Sequence, residues 1–427
     1  MSQTNGTGKD RKYDVVVVGG GGHVGLPLAM VFADRGLRTL VFDINEQTVE
    51  TIQGGVVPFA EGGAEELLGR VLESGRFHLS TDPAEIAHAQ NVIITIGTPV
   101  DEFSNPVLGI MRDMMQQLAP HLDNDQLIVL RSTVYPGTTE WLSRHMEDDY
   151  GLTPRLAFCP ERVVQGKAIE EVQSLPQIVS GTTEAAAKAA GDLFALIVSE
   201  LVFLEPTEAE FAKLFNNAWR YIQFAVANQF YMMTEAAGVD YYRVLNGMKH
   251  NYSRALGIPG AGFAAGPCLY KDTMQLSAFS NNTFSIGHAA MLVNEGMVNH
   301  VVDRIAKEYD IENLRVGLLG MAFKANIDDI RSSLSYKLKK LLEFRARRVY
   351  TTDDHVTVDP NLMSLEDVVE KSDLLILCVP HREYKDLDTQ GKPMIDIWGY
   401  IEQISPISTV MCYDEEMVAQ AEANAAK

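Results

Sequence analysis

"YDVVVVGGGGHVGLPLAMVFADRGLRTLVFD" (residues 13–43) holds the pattern on which the fold turns. Its opening, "YDVVVV" (13–18), is a short β-branched run and reads as a buried strand. "VGLPLAMVFADRG" (24–36) reads as a helix closed by Gly36, and "RTLVFD" (38–43) as a second strand. Four successive glycines join the first strand to the helix. Only Gly20, Gly22 and Gly25 fit a GxGxxG spacing, because a frame starting at Gly19 would end on Val24. Such a turn is tight, lets the backbone approach a pyrophosphate, and aims free N–H groups and the positive end of the helix dipole at it. Asp43 follows at the end of the second strand, 18 residues past Gly25. There it can accept hydrogen bonds from a ribose diol and would repel a 2′-phosphate, and no arginine follows in "DINEQ". The stretch therefore reads as the first βαβ unit of a dinucleotide-binding domain that takes NAD rather than NADP.

Working outward, "NVIITIG" (91–97) and "QLIVLRST" (126–133) add buried strands, so strands and helices alternate as in a parallel sheet covered on both faces. After Pro206 the pattern changes. "TEAEFAKLFNNAWRYIQFAVANQFYMMTEAAG" (207–238) contains no proline, Thr207 and Glu210 have the spacing of a capping box, and Gly238 is a natural stop. We read one long helix in a mostly helical middle that extends to about residue 308. Its apolar surface is too large for a lone exposed rod, so dimer packing across it is expected. A third segment repeats the first theme: strand at 314–320, helix at 335–346, strands at 348–353 and 373–380. The expected fold class is α/β, with two Rossmann-like doubly wound domains joined by a helical middle domain. The boundaries read as 1–205, 206–308 and 309–427.

With 427 residues the chain is too long for one ordinary domain, and its 36 Lys+Arg against 57 Asp+Glu leave a net charge of −21. Such acidity disfavours nucleic acid and anionic membrane as partners, so any anionic ligand needs a local cationic site. The polar start lacks the apolar core of a signal peptide, and no apolar run approaches the roughly 18 residues of a membrane span. Four cysteines lie far apart with no CxxC pair. A disulfide framework or zinc site is not expected, and a reducing cytoplasm fits best.

Several residues carry the chemistry. Lys213 and Asn217, at i and i+4, project from one helix face and together can stabilise a developing oxyanion, though a solvated face has the same spacing. Glu161 in "FCPERVVQG" follows an apolar run, where a strand reaches its ligand-binding end. Thr133 in "RSTVYPGTT" stands before a Pro-Gly turn. Cys268 sits among small residues in "AGFAAGPCLYKDT" (261–273), with Lys271 and Asp272 close enough to supply a charge and a base. Locally it reads equally well as a buried filler or as a nucleophile.

Together "GGGGHVGLPLA", "GTPVDE", "STVYPGTT", "CPERV", "EAEFAKLFNNAWR", "GPCLYKD" and "GMAFKANIDDIRSS" resemble the nucleotide-sugar 6-dehydrogenases, the UDP-glucose and UDP-N-acetylhexosamine dehydrogenase family, over roughly residues 13–400. The resemblance implies an NAD domain, a central dimerisation domain and a C-terminal nucleotide-sugar domain. It implies two successive oxidations at C6 of a UDP-sugar, with two NAD reduced. It assigns Cys268 as a nucleophile that passes through a thiohemiacetal and a thioester, and Lys213 and Asn217 as the oxyanion pair. Asp272 becomes a base or water-orienting carboxylate, Glu161 a hydrolytic acid/base and Thr133 a water-positioning hydroxyl. Asp43, Thr98, Lys271 and Arg331 match cofactor contacts; Arg254, Phe263, Phe323 and Lys324 match sugar-nucleotide contacts. A positive neighbourhood would then lower the thiol's pKa. Pro267, Tyr270 and Gln165 depart from the family's usual residues, which bears on the choice of sugar. Two other readings use the same residues: a two-electron hydroxyacid-type dehydrogenase, and a catalytically silent sugar-nucleotide binder.

Overall fold

The computed structural model describes residues 11–97, 101 and 108–401. The strands of the first sheet are β1 (Tyr13–Val18), β2 (Thr39–Phe42), β3 (Phe77–Ser80), β4 (Ala89–Ile94), β5 (Leu127–Leu130), β6 (Arg155–Phe158), β7 (Gln177–Gly181) and β8 (Leu201–Phe203). They lie side by side in the order β3-β2-β1-β4-β5-β6-β7-β8. All pairs are parallel except β6 with β7, which run antiparallel. Val15 pairs with Thr39 on one side and Asn91 on the other. The valines of β1 are buried because apolar side chains cover both faces: Leu26, Met30 and Phe32 on one, Met115, Leu142 and Met146 on the other. Strand order reverses between β1 and β4, and the glycine turn leaves β1 at that switch point, where open α/β sheets bind ligands.

The long helix spans Pro206–Ala236, 31 residues, and ends before Gly238, whose φ of +68° supplies the left-handed stop. Its start differs from the expected Thr207–Glu210 box. Proline lacks an N–H and fits the first helical position, so Pro206 moves the cap to Glu205, whose N–H donates to Glu208 Oε2 (2.9 Å). Glu210 is thereby freed for another partner. Helices Tyr241–Lys249, Leu269–Phe279 and Ser285–Glu308 complete the helical middle. The second sheet is parallel, in the order β10 (Arg348–Thr352), β9 (Arg315–Leu319), β11 (Leu374–Leu377), β12 (Met394–Asp396). The expected strand at 126–133 stops at Leu130, which leaves Arg131–Thr133 in the loop beyond it. No helix among the described residues is long and apolar enough to cross a membrane.

Candidate active site

The glycine turn is shaped by two different demands. A Cβ on Gly25 would lie 2.7 Å from Gly20 Cα and 2.9 Å from Gly19 O, so the fold itself excludes a side chain there. A Cβ on Gly22 would meet nothing closer than Gly19 O at 3.7 Å, so packing does not require its bareness. Gly20 donates its N–H to Phe42 O (3.1 Å). The helix Gly25–Asp34 has no side-chain cap, which leaves its N-terminal amides for an anion. Asp43 stands half-buried beside the turn, accepting the Gly21 N–H at Oδ2 (3.0 Å) and the Asn45 N–H at Oδ1 (3.1 Å). Gly21, outside the motif, is equally constrained, since a Cβ would meet Asp43 Oδ2 at 2.9 Å. Bare backbone, uncapped helix and acidic side chain suit a dinucleotide with a free ribose diol. Thr98 lies outside the described residues.

The thiol cluster is built by two helices. Cys268 is exposed and stands just before the helix Leu269–Phe279 without capping it; Asp272 lies one turn on and is fully buried. Asn217 of the long helix donates Nδ2–H to Asp272 Oδ2 (2.5 Å), and Lys271 Nζ sits 3.3 Å from Asp272 Oδ1. Asp272 thus orients Asn217 from behind. Crowding by neighbouring atoms and the Asp272 charge push the Cys268 thiol up, while Lys213, Lys271 and Arg331 pull it down. The balance is upward, so the expectation of a lowered thiol is corrected: desolvation and the Asp272 charge together outweigh the three cations. The other two described cysteines, Cys159 and Cys378, are buried, Cys159 pushed up to about 12 and Cys378 further.

The C-terminal segment closes over this loop. Phe323 lies against Gly266, where a Cβ would meet its ring at 2.7 Å, and Trp398 covers Gly262. Phe263 is buried in the core beneath. Lys324 donates Nζ–H to Gln165 O (2.7 Å), and Ala60 N–H donates to Asp328 Oδ2 (3.2 Å), so the second sheet's loop touches the first domain directly. Arg331 is held by Asp329 (2.6 Å), which also faces His23 of the glycine turn (4.0 Å). Gln165 bonds His23 Nδ1 (3.0 Å), and Tyr270 meets Tyr221 edge-on at 6.5 Å; two of the departing residues therefore have structural partners.

Not every expected residue joins the cluster. Glu161 is buried in an ion pair with Arg131, and its Oε1 accepts the Arg162 and Val163 N–H groups (2.6 and 2.8 Å). Arg131, Arg162 and Val163 all lie in loops of the first sheet. Arg254 stands exposed on the turn Ser253–Ala255. Sequence reasoning passed over Arg131, almost fully buried, and Arg220, whose charge together with burial lowers Lys324. Arg220 is seven residues past Lys213, a same-face spacing that could have found it. His381, also missed, accepts the Asn326 N–H at Nδ1 (2.9 Å) and bonds Asp353 Oδ2 through Nε2 (3.0 Å), steadying the loop that carries Phe323 and Lys324. His355, His381 and Glu383 lie close enough to ligate a metal, but both His381 nitrogens are already engaged.

A glycine turn with an uncapped helix, linked through Asp329 and Arg331 to a thiol beside a buried Asn–Asp pair, fits a dinucleotide-dependent oxidoreductase. The chain belongs to the UDP-glucose/GDP-mannose dehydrogenase family, whose NAD binding domain matches residues 14–198, central domain 207–296 and UDP binding domain 317–403. It is an NAD-dependent nucleotide-sugar dehydrogenase. It is 30% identical to the UDP-N-acetyl-D-mannosamine dehydrogenase of Pyrococcus horikoshii, over 89% of this chain and 93% of that one. It is 28% identical to an NDP-N-acetyl-D-galactosaminuronic acid dehydrogenase of Ralstonia nicotianae, over 91% and 98%. Among solved structures, a UDP-glucose dehydrogenase from Pyrobaculum islandicum superposes with a TM-score of 0.85 at 27% identity, covering 95% of this chain and 97% of that one.

Proposed function

We propose that this chain oxidises the C6 alcohol of a UDP-N-acetylhexosamine of the mannosamine type to the carboxylate, in two steps. The convergence of Cys268, Lys213, Asn217 and Asp272 at the junction of two helices carries the reading. NAD, when bound, accepts one hydride at each oxidation. In the first, the alcohol loses a hydride to the cofactor and a proton to water and becomes an aldehyde, with Lys213 and Asn217 stabilising the oxyanion. The Cys268 thiol then adds to the carbonyl carbon, its proton passing to the oxygen; a second hydride leaves the resulting tetrahedral carbon and its hydroxyl releases a proton to water as a thioester forms. Water attacks the acyl carbon, the C–S bond breaks and sulfur recovers a proton. Thr133 and Glu161 serve that last step, Glu161 through the loop it braces. Asp43, Thr98, Lys271 and Arg331 attend the cofactor; Arg254, Phe263, Phe323 and Lys324 attend the sugar nucleotide. The names of the curated relatives favour the N-acetylhexosamine over UDP-glucose.

We assign residues 1–205 to the cofactor, 206–308 to dimerisation and 309–427 to the nucleotide sugar. A homodimer is favoured by an exposed stripe of Phe215, Trp219, Val226, Phe230 and Met233 along the long helix, with Ile286 and Leu292 from the helix beside it. Turnover with UDP-N-acetylmannosamine, UDP-N-acetylglucosamine, UDP-glucose and GDP-mannose tests the function. The expected result is two NADH per acid formed, fastest with the first substrate, and no complete turnover by C268S. One NADH with an aldehyde product, or full activity of C268A, sinks it.

A further inference from the structure

Glu210 is fully buried on the long helix, three residues before Lys213 and seven before Asn217, so the three share a face. Its Oε1 accepts the Thr139 N–H (2.8 Å) and hydroxyl (2.6 Å), and its Oε2 accepts the Gly137 N–H (2.6 Å). These groups open the helix Thr138–Tyr150, which has no side-chain cap of its own. Glu210 therefore caps, from 71 residues away in sequence, a helix of the dinucleotide domain, with its carboxylate at the positive end of the dipole. Burial pushes its carboxyl up while these bonds oppose the shift.

The loop leading into that helix begins at Thr133 and is gripped a second time. The Tyr135 ring meets Phe279 edge-on at 5.3 Å, and Phe279 meets Phe211 at 5.1 Å. Phe279 ends the helix that Cys268 opens, and Phe211 adjoins Glu210. Both helices that build the thiol cluster thus hold the loop that carries Thr133.

We propose that Glu210 is a positioning residue for thioester hydrolysis: by capping the Thr138–Tyr150 helix it fixes the loop that carries Thr133 to the helix of Lys213 and Asn217, so that Thr133 can direct water to the acyl carbon. The step consumes one water, breaks the C–S bond and returns the proton to sulfur, with no further oxidant. The inference rests on the four-electron reading.

The test is E210Q, which keeps the shape but turns one acceptor oxygen into a donor against an N–H. With NAD and UDP-N-acetylmannosamine, steady-state kcat falls by about 10²-fold, the cost of a small misplacement, while both KM values stay within about threefold. NADH appears in a burst, and intact mass shows the acyl group on the Cys268 peptide. Should E210Q fail to fold, E210D, which keeps the charge but loses reach, is judged on the same two readouts. Combining T133V with E210Q adds no further loss. Unchanged kcat, a fall in kcat without burst or adduct, or additive losses from Thr133 and Glu210 would each overturn the proposal. Wild-type stoichiometry of one NADH would instead defeat the four-electron reading, and is seen before any variant is made.

Discussion

At Cys268 the surrounding charges work against one another. Asp272 and desolvation disfavour the thiolate; Lys213, Lys271 and Arg331 favour it, and the first pair prevails. The thiol therefore rests protonated at neutral pH and must lose its proton as it attacks. The sign of each variant follows. D272N removes a negative charge that penalises the thiolate, so the midpoint of iodoacetamide alkylation against pH moves down. K213M removes a supporting cation, so it moves up. Mass spectrometry of the Cys268 peptide reads both, and midpoints that coincide with wild type would show that these charges do not govern the thiol. Spacing alone left Cys268 open between filler and nucleophile and Lys213 and Asn217 open to a solvated face; the family resemblance singled them out, and the fold brings Asn217 and Asp272, 55 residues apart, into contact. The direction of the thiol's shift was not legible, because desolvation depends on how the folded chain packs around Cys268, which spacing does not report.

At the scale of the element, the long helix was legible throughout its length, since a proline-free run before Gly238 allows little else. Its cap was not. Thr207 and Glu210 have the right spacing, but Pro206 takes the first helical position, and the box forms between Glu205 and Glu208. E208A should therefore cost about 1 kcal/mol of stability, and T207A less than about 0.5 kcal/mol, in denaturant unfolding. The reverse order would restore the cap read from spacing. The pairing of Arg131 with Glu161 was hidden for a related reason. Periodicity reports which face of an element is buried, whereas that pair joins loops beyond two adjacent strands, β5 and β6.

For the whole molecule, the cleft and the assembly have opposite electrostatic characters. Inside, Arg220 lies near Lys324, which bonds Gln165 O, and cations there would let a chain of net charge −21 hold an anionic sugar nucleotide as proposed. Outside, two copies of so acidic a chain would repel one another, and in the proposed dimer the stripe on the long helix would have to overcome that repulsion. Phe215 and Trp219, four apart, are 56% and 61% exposed, and Met233 further along the same helix is 60% exposed. If the stripe joins two protomers, a carboxylate on it forces an unpaired charge into the contact. F215E and W219E should each sediment as monomers at concentrations where wild type is dimeric, with the melting temperature of the dinucleotide domain little changed. Salt should act in the unusual direction for a charged protein. Raising it from about 20 to about 300 mM shortens the Debye length to below 10 Å and screens the repulsion, so the wild-type dimer tightens. An assembly loosened by salt would mean that ion pairs, rather than the apolar stripe, hold the protomers together.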